Sequence, residues 1–153
     1  RVPGFADAWI SAVPTQIGVR ESRRIMGDYV LTAEDVLAAR KFDDGIARGA
    51  YDVDIHNPAG TGTVIKHLPP GEAYDIPYRC LCPEGFDNLL VAGRCISADH
   101  IAESTIRAIS ACMLTGQAAG TGAALACKDG TAPKDVNISK LQSILRDQGV
   151  DLP

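Results

Sequence analysis

The sequence predicts an α/β domain in which short, mixed sheet segments pack beside one long buried helix. Three observations indicate this class. Polar and apolar residues alternate from Tyr51 to Ile55, which is typical of a strand with one buried face. Residues 88–93 form an apolar run that ends in glycine, which is typical of a strand buried on both faces of a parallel sheet. Residues 104–127 lack proline and, from 108 on, lack charge, which predicts a helix buried on most sides, roughly 36 Å long for about 24 residues.

The composition restricts the function classes. The chain has 153 residues, 46% of them hydrophobic, and 15 Lys and Arg against 19 Asp and Glu, so its formal net charge is -4. This hydrophobic content argues against disorder, and the lack of a basic excess argues against nucleic acid as a partner. The cysteines are odd in number and follow no repeating spacing, which indicates a reducing compartment and predicts a cytoplasmic protein.

The N-terminal segment predicts a helix end and then two strands. The chain opens on Arg1 without a signal peptide, so we interpret it as a piece of a longer polypeptide. The apolar cluster Phe5–Ile10, followed by Pro14, indicates the end of a helix. Residues 17–31 predict two strands around a tight turn at Gly27–Asp28.

The next elements are a short helix and further strands. Thr32 predicts an N-cap whose side chain accepts a hydrogen bond from the amide of Asp35, and the helix should end near Lys41. Residues 63–65 and 73–82 then predict two more strands, so this part of the chain is mostly sheet.

A peripheral amphipathic helix closes the chain. Asn137 predicts its N-cap and Gly149 its C-terminal end. Its apolar face consists of Ile138, Leu141, Ile144 and Leu145. The chain thus divides into a β-rich segment at 1–87, a strand-loop-helix unit at 88–130 and the last helix at 131–153.

Four segments of the sequence resemble one family of flavoproteins. Residues 88–126, NLLVAGRCISADHIAESTIRAISACMLTGQAAGTGAALA, resemble the C-terminal FAD-contacting segment of the fumarate reductase-like flavoprotein superfamily. IGVRESRRIMGDYVLTAEDVL, DIHNP and IPYRCL resemble one family within it, the FAD-dependent oxidoreductases. The resemblance implies the C-terminal part of an FAD/NAD(P)-binding-type fold, with 1–87 on the substrate side and 88–130 in contact with FAD.

The resemblance also implies which residues approach the cofactor. Reduced flavin carries negative charge at its pyrimidine edge, where a helix start supplies unpaired N–H donors, here at residues 104–107. Many superfamily members have an acidic residue directly after the strand glycine, but Arg94 stands there, which leaves Ser97 and Asp99 as substitutes for the ribityl contact. The implied cofactor-contacting residues are Gly93, Arg94, Ser97, Asp99, Ser104, Thr105, Ile106 and Arg107.

The catalytic residues stay open at this point. Three arginines lie within residues 20–24, and arginine suits bidentate recognition of a carboxylate or phosphate. A solvated strand face explains at least one of them equally well. The candidates for a catalytic or substrate-pocket role are Arg20, Arg23, His56, Arg79 and His100. No metal site is expected, because no pair of histidines or cysteines has the spacing of metal ligands.

The sequence lacks one motif that FAD binding requires. No G-x-G-x-x-G follows a strand, and the nearest match, at Gly60 and Gly62, has Ile65 in the third glycine position. We therefore expect the nucleotide-binding motif on an N-terminal part outside this sequence, which would be a partner of this chain together with a small-molecule substrate. By itself the chain should be inactive and should not retain FAD, and it should bury its exposed apolar surface by dimerising or by repacking.

The alternative is a non-catalytic module, either a binding or a membrane-associated one, in which the helix at 104–127 serves packing alone. Gly116-x-x-x-Gly120 occurs in membrane helix dimers, and the uncharged run just reaches the length of a bilayer span. Its serine, threonine and glutamine residues argue against insertion.

Overall fold

The computed structural model describes residues 3–56 and 60–152. These residues form four α-helices and four strands, which confirms the α/β class. The helices are α1 (Ala33–Leu37), α2 (His100–Ile106), α3 (Ile109–Asp129) and α4 (Ile138–Asp147). The strands are β1 (Gly45–Gly49), β2 (Val53–His56), β3 (Thr63–Lys66) and β4 (Tyr74–Pro77).

The strands form two separate antiparallel pairs. β2 pairs with β3, which confirms the strands predicted at 51–55 and 63–65. β4 pairs with β1, and a bulge lies between Gly45 and Ala47. The sequence did not predict β1, because glycine at both ends and the preceding Asp-Asp-Gly indicate a turn.

Tyr74 explains why β1 forms nevertheless. The buried Tyr74 faces Gly49 across the β1–β4 pair. A Cβ at Gly49 would lie 2.7 Å from Tyr74 Cε2 and closer still to Cζ and Oη. Only glycine leaves room for the Tyr74 ring at position 49. The strand therefore contains a glycine, in spite of its low strand propensity, because of a contact with a residue distant in the sequence.

Residues 3–31 contain no helix and no strand, so both predictions for this segment are wrong. Two isolated bridges join it to the rest of the described chain, Gly27 to Pro83 and Leu31 to Ala98. Ile17 and Val19 are 92% and 61% exposed, so the alternation that predicted a strand has no sheet to bury it here.

The strand predicted at residues 88–93 is also absent. Val91 donates its amide to the Leu81 carbonyl at 2.8 Å, and Gly93–Cys95 form a 3-10 turn. The predicted burial on both faces is wrong as well, because residues 88 and 89 are exposed and residues 90–93 are only partly buried. An extended segment becomes a strand only beside another strand, and none of the described strands lies there.

The predicted long helix is divided into α2 and α3. Ala108 has extended backbone angles, φ -60° and ψ 147°, and separates them. The break lets α2 pack on β2 while α3 crosses β1 and α4. Burial on most sides is wrong for α3, because Ile109 and Met113 at its start are 79% and 69% exposed. None of the helices in the described ranges is long and apolar enough to cross a bilayer.

Capping explains where the other helices begin. The Thr32 side chain accepts from the Asp35 amide at 3.2 Å, and Asp35 accepts from the Thr32 amide at 3.0 Å, so the predicted cap is confirmed. Helix α1 ends at Leu37, earlier than predicted. The Asn137 side chain accepts from the Lys140 amide at 3.0 Å, which confirms the start of α4.

Candidate functional site

A cleft lined by arginines lies where residues 19–23, 92–95 and 107–113 meet. It consists of three cavities of about 370, 470 and 270 Å³, all lined in part by Arg20. Arg94 and Arg107 each line two of them, and Arg23 lines the first. We call this feature the arginine cleft, defined by Arg20, Arg23, Arg94 and Arg107.

Hydrogen bonds from Arg94 hold the irregular N-terminal segment against the cleft. Its Nη1 donates to the carbonyl of Val19 at 3.0 Å and to that of Arg20 at 3.2 Å. The Ile25 amide donates to the Cys95 carbonyl at 3.0 Å. The segment that carries Arg20 and Arg23 is therefore fixed at both ends without forming a strand.

The turn at Gly93 opens directly onto the cleft. Gly93 has a φ of 80°, which favours glycine, and its amide donates to Thr115 Oγ1 at 3.1 Å. A Cβ at this position would meet no atom within 4 Å. The glycine therefore gives the turn its backbone shape and leaves open space beside it.

The start of α3 is uncapped at the cleft. The N-cap residue of α3 is Ala108, and no side chain of the described residues caps the helix there. The amides of Ile109, Ser110 and Ala111 have no acceptor among the described residues. A helix of 21 residues concentrates partial positive charge at this end. Ile109, with Arg94 and Arg107, lines the largest of the three cavities.

A cluster of charged side chains lies behind the cleft, and we call it the Glu21 cluster: Glu21, Arg24, His100, Glu103 and Arg107. Arg107 Nη1 contacts Glu21 Oε2 at 3.0 Å and Glu103 Oε2 at 3.8 Å. His100 Nδ1 lies 2.5 Å from Glu21 Oε1, and Arg24 Nη1 lies 3.2 Å from the same oxygen. Glu103 is fully buried, and neither carboxyl oxygen has a hydrogen bond in the described structure.

The pKa values of the two carboxyl groups of the cluster are shifted in opposite directions. Burial raises the pKa of Glu103 to about 7, and the neighbouring Glu21 adds to the rise. Burial also acts to raise the pKa of Glu21, but the hydrogen bond to His100 and the charges of His100 and Arg107 outweigh it and leave this pKa lowered. The pair therefore takes up a proton as the pH falls through about 7, and Glu103 is the carboxyl group whose pKa favours holding it.

This cluster predicts a pH-dependent stability. The pKa of Glu103 lies near 7 in the folded protein, against an ordinary value of 4.5. The protonated Glu103 therefore contributes fully to the free energy of unfolding below pH 4.5, and this contribution is lost as the pH rises through 7. Glu103→Gln mimics the protonated form, so at pH 8 it should raise the free energy of unfolding by on the order of 3 kcal/mol, at about 1.4 kcal/mol for each pH unit between the two pKa values. Urea unfolding at pH 5 and pH 8 measures this.

The matched control is Glu72→Gln, which neutralises an exposed carboxylate for which the described structure shows no ion pair. It should change stability equally at both pH values. A Glu103→Gln variant whose stability falls from pH 5 to pH 8 as steeply as that of the wild type would contradict the assignment of the proton to Glu103.

The structure brings five of the sequence-predicted site residues to the cleft: Arg20, Arg23, Gly93, Arg94 and Arg107. A sixth, Ser104, lines the smallest cavity, where its Oγ donates to the Ile101 carbonyl at 2.6 Å and accepts from the Asp54 amide at 3.3 Å. Its hydroxyl is thus already engaged in packing α2 against β2.

Four other predicted cofactor residues lie away from the cleft. The Asp99 carboxylate caps α2 by accepting from the Ala102 amide at 2.7 Å. The helix therefore begins at His100, and the prediction that it begins at Ser104 is wrong. Thr105 Oγ1 bonds to the Tyr51 carbonyl at 2.5 Å and to Tyr74 Oη at 2.8 Å, which places it in the core. Ile106 and Ser97 are buried as well.

The remaining candidates do not converge. Arg79 binds Asp44 through Nε at 2.9 Å and Nη2 at 3.1 Å, and its guanidinium lies over the Tyr29 ring at 5.1 Å. It therefore has a structural partner outside the cleft. His56 Nε2 lies 3.9 Å from Asp54 Oδ2 at the end of β2. Among the candidate histidines, His100 alone belongs to the Glu21 cluster.

Comparison with protein families shows the family of the chain. The model of the FAD dependent oxidoreductase family matches residues 1–145. The chain belongs to this family. The resemblance drawn from the sequence is thereby confirmed at the family level, and FAD is the cofactor that the family description names. No curated protein and no solved structure matches the chain.

The residues of the cleft fit a flavin cofactor of this family. A phosphorylated, electron-accepting cofactor needs positive charge and room for close approach of the backbone. The arginines and the uncapped start of α3 provide the charge, and the open space beside Gly93 provides the room. Among the described residues, no three histidine, cysteine, aspartate or glutamate side chains come together as in a metal site.

Sequence reasoning did not find Glu21, Glu103 or the true helix start at the cleft. One signal was present: Glu103 and Arg107 are four residues apart, directly before a long uncharged stretch. A charged pair at that position indicates a partner elsewhere in the fold. Nothing local in the sequence indicates the break at Ala108, because alanine is the residue most favourable to a continuous helix.

Proposed function

We propose that this chain supplies the flavin-facing wall and part of the substrate pocket of an FAD-dependent oxidoreductase. The observation that carries the proposal is the uncapped N-terminus of α3, which opens onto a cleft lined by Arg20, Arg94 and Arg107. Bound FAD supplies hydride or electron-pair transfer. The amides of Ile109 and Ser110 are placed to donate hydrogen bonds to a group that gains negative charge on reduction.

The proposal assigns separate roles along the cleft. Gly93 admits the cofactor close to the backbone, and Thr115 holds that turn through the Gly93 amide. The Glu21 cluster fixes Arg107, whose Nη2 also donates to the Asp54 carbonyl at 2.9 Å. The phosphate-binding motif is supplied by another part of the parent protein, so this chain is inactive by itself and does not retain FAD.

The exposed start of α3 is the surface that we propose for contact with that other part. Ile109 and Met113 are apolar and exposed there, and exposed patches of this kind usually mark a contact surface. In the isolated chain the same surface would favour dimerisation. We place the parent protein in the cytoplasm because the cysteines of the described residues are unpaired.

The test is Gly93→Val in the full-length parent protein. The side chain would enter the open space beside the turn, so we expect FAD content after purification to fall about tenfold, which corresponds to about 1.4 kcal/mol of lost affinity. FAD is measured by absorbance and by release on denaturation, relative to protein.

Gly71→Val is the matched control. Gly71 has a φ of 79° against 80° for Gly93, and a Cβ at either position meets no atom within 4 Å. Both substitutions impose the same backbone strain, but Gly71 lies in the loop between β3 and β4 and lines none of the three cavities of the cleft. Equal FAD contents in the two variants would refute a cofactor position at Gly93.

A further inference from the structure

We propose that the arginine cleft recognises an oxyanion of the substrate, a carboxylate or a phosphate, through Arg20 and Arg23, with Arg94 as the positioning residue. This inference rests on the proposed function, since it names the substrate class of the same site. Three observations carry it: the ion-pairing pattern of the arginines, the anchoring of Arg94 and the local charge of the cleft.

The arginines of the described residues differ in their partners. Arg24, Arg40, Arg48, Arg79 and Arg107 each contact a carboxylate within 4 Å. Arg20, Arg23 and Arg94 contact no carboxylate within residues 3–56 and 60–152, although all three line the same 370 Å³ cavity. Cations that share a cavity without a counter-ion repel each other and attract an anion.

The arginines of the cleft are preorganised for binding. Two backbone carbonyls orient the Arg94 guanidinium through Nη1, and its other N–H groups have no acceptor among the described residues. Because the same hydrogen bonds hold Val19 and Arg20, the neighbouring arginines are carried on a fixed segment. A planar guanidinium held in this way loses little freedom when it binds an oxyanion.

The cleft brings arginines together in a chain that is acidic overall. The whole chain has a net charge of -4, so the arginines do not belong to an extended basic surface of the kind that binds nucleic acid. The uncapped start of α3 adds partial positive charge from the adjoining cavity. Ala92 and Cys112 line the same cavity beside the arginines, which suits a small organic molecule with an anionic group.

The experiment uses the full-length, FAD-loaded protein with acetate, inorganic phosphate and neutral acetamide as probes. Binding is followed by the flavin difference spectrum and by thermal shift at constant ionic strength. We expect acetate or phosphate to bind and acetamide not to bind. Arg20→Gln and Arg23→Gln should each weaken anion binding about tenfold, because a charge-assisted hydrogen bond contributes about 1.5–3 kcal/mol.

Lys66→Gln is the charge-matched control, because Lys66 is exposed on β3 and has no ion pair among the described residues. It should leave anion binding unchanged. Equal weakening in Lys66→Gln and Arg23→Gln would overturn the inference, since it would show a response to net charge alone. Unchanged affinity in both arginine variants would overturn it as well.

Two further outcomes separate this inference from the proposed function. If FAD content falls in Arg20→Gln and Arg23→Gln while the loaded wild type binds no anion, the oxyanion is the FAD pyrophosphate, and the substrate assignment is overturned while the proposed function stands. If the wild type contains no flavin, the proposed function fails. Thermal shift with acetate and phosphate on that flavin-free protein then still decides whether the arginines bind an oxyanion.

Discussion

Replacing Arg107 by leucine should lower the free energy of unfolding by about 3–5 kcal/mol, the usual cost of leaving a buried charge without its partner. The Arg107 side chain is 9% exposed and contacts three segments, through Glu21, Glu103 and the Asp54 carbonyl. Leucine retains much of the apolar stem but leaves two adjacent carboxyl groups without their nearest cation. Chemical denaturation of wild type and variant measures the loss.

The size of this loss should depend on pH and on Glu103. It should be smaller at pH 5, where both carboxyl groups bind protons more readily, and Glu103→Gln should recover part of it in the double variant. Arg40→Leu is the control, since Arg40 pairs with Asp35 at 2.8 Å but is 57% exposed. Surface pairs contribute up to about 1 kcal/mol, so an Arg107→Leu loss no larger than that of Arg40→Leu would contradict the buried network.

Replacing Gly49 by alanine should destabilise the fold by about 3 kcal/mol, at the upper end of what overpacking usually costs. The added methyl group would overlap the Tyr74 ring, which is completely buried. The ring cannot move aside without breaking the 2.8 Å hydrogen bond between its hydroxyl and Thr105 Oγ1. Since Thr105 belongs to α2, the displacement would reach the helix that carries Glu103 and Arg107.

Gly120→Ala is the matched substitution for Gly49→Ala. Gly120 is exposed in α3, and a Cβ there meets no atom within 4 Å. Alanine should stabilise that helix by about 0.5–1 kcal/mol, so the two glycine substitutions should differ in sign. Thermal unfolding followed by circular dichroism compares them, and a Gly49→Ala variant as stable as wild type would exclude a close contact with Tyr74.

Elements governed by local chemistry were predictable from the sequence. Thr32 and Asn137 each cap a helix through a hydrogen bond within three residues, so the pattern of side chains was sufficient. The alternation in β2 was sufficient for the same reason. By contrast, β1 depends on Tyr74, and the predicted strand at 88–93 lacked a neighbour, so no local pattern could decide either case.

Some residues of the candidate site were predictable from the sequence, and others are brought together only by the fold. Gly93 and Arg94 were predicted from the resemblance of residues 88–126 to a flavoprotein family, and Arg20 and Arg23 from the three arginines within residues 20–24. The structure brings all four to one cavity. The Glu21 cluster joins residues 86 positions apart, from Glu21 to Arg107, and so requires the fold. A helix start with unpaired N–H donors was predicted at residues 104–107, but the helix there begins at His100, and the uncapped start is that of α3 at Ile109. The break between α2 and α3 has no local signal.

Asp99 makes two helix ends behave as one cooperative unit. Its Oδ1 accepts from the Ala102 amide in α2, and its Oδ2 accepts from the Ala33 amide in α1, each at 2.7 Å. One negative charge thus stabilises the positive ends of two helices at once. Fraying of either first turn removes a partner from the other, so both turns should exchange their amide hydrogens with a common free energy of opening. The first turn of α2 is therefore tied to a helix that begins at Ala33, 66 residues before Asp99.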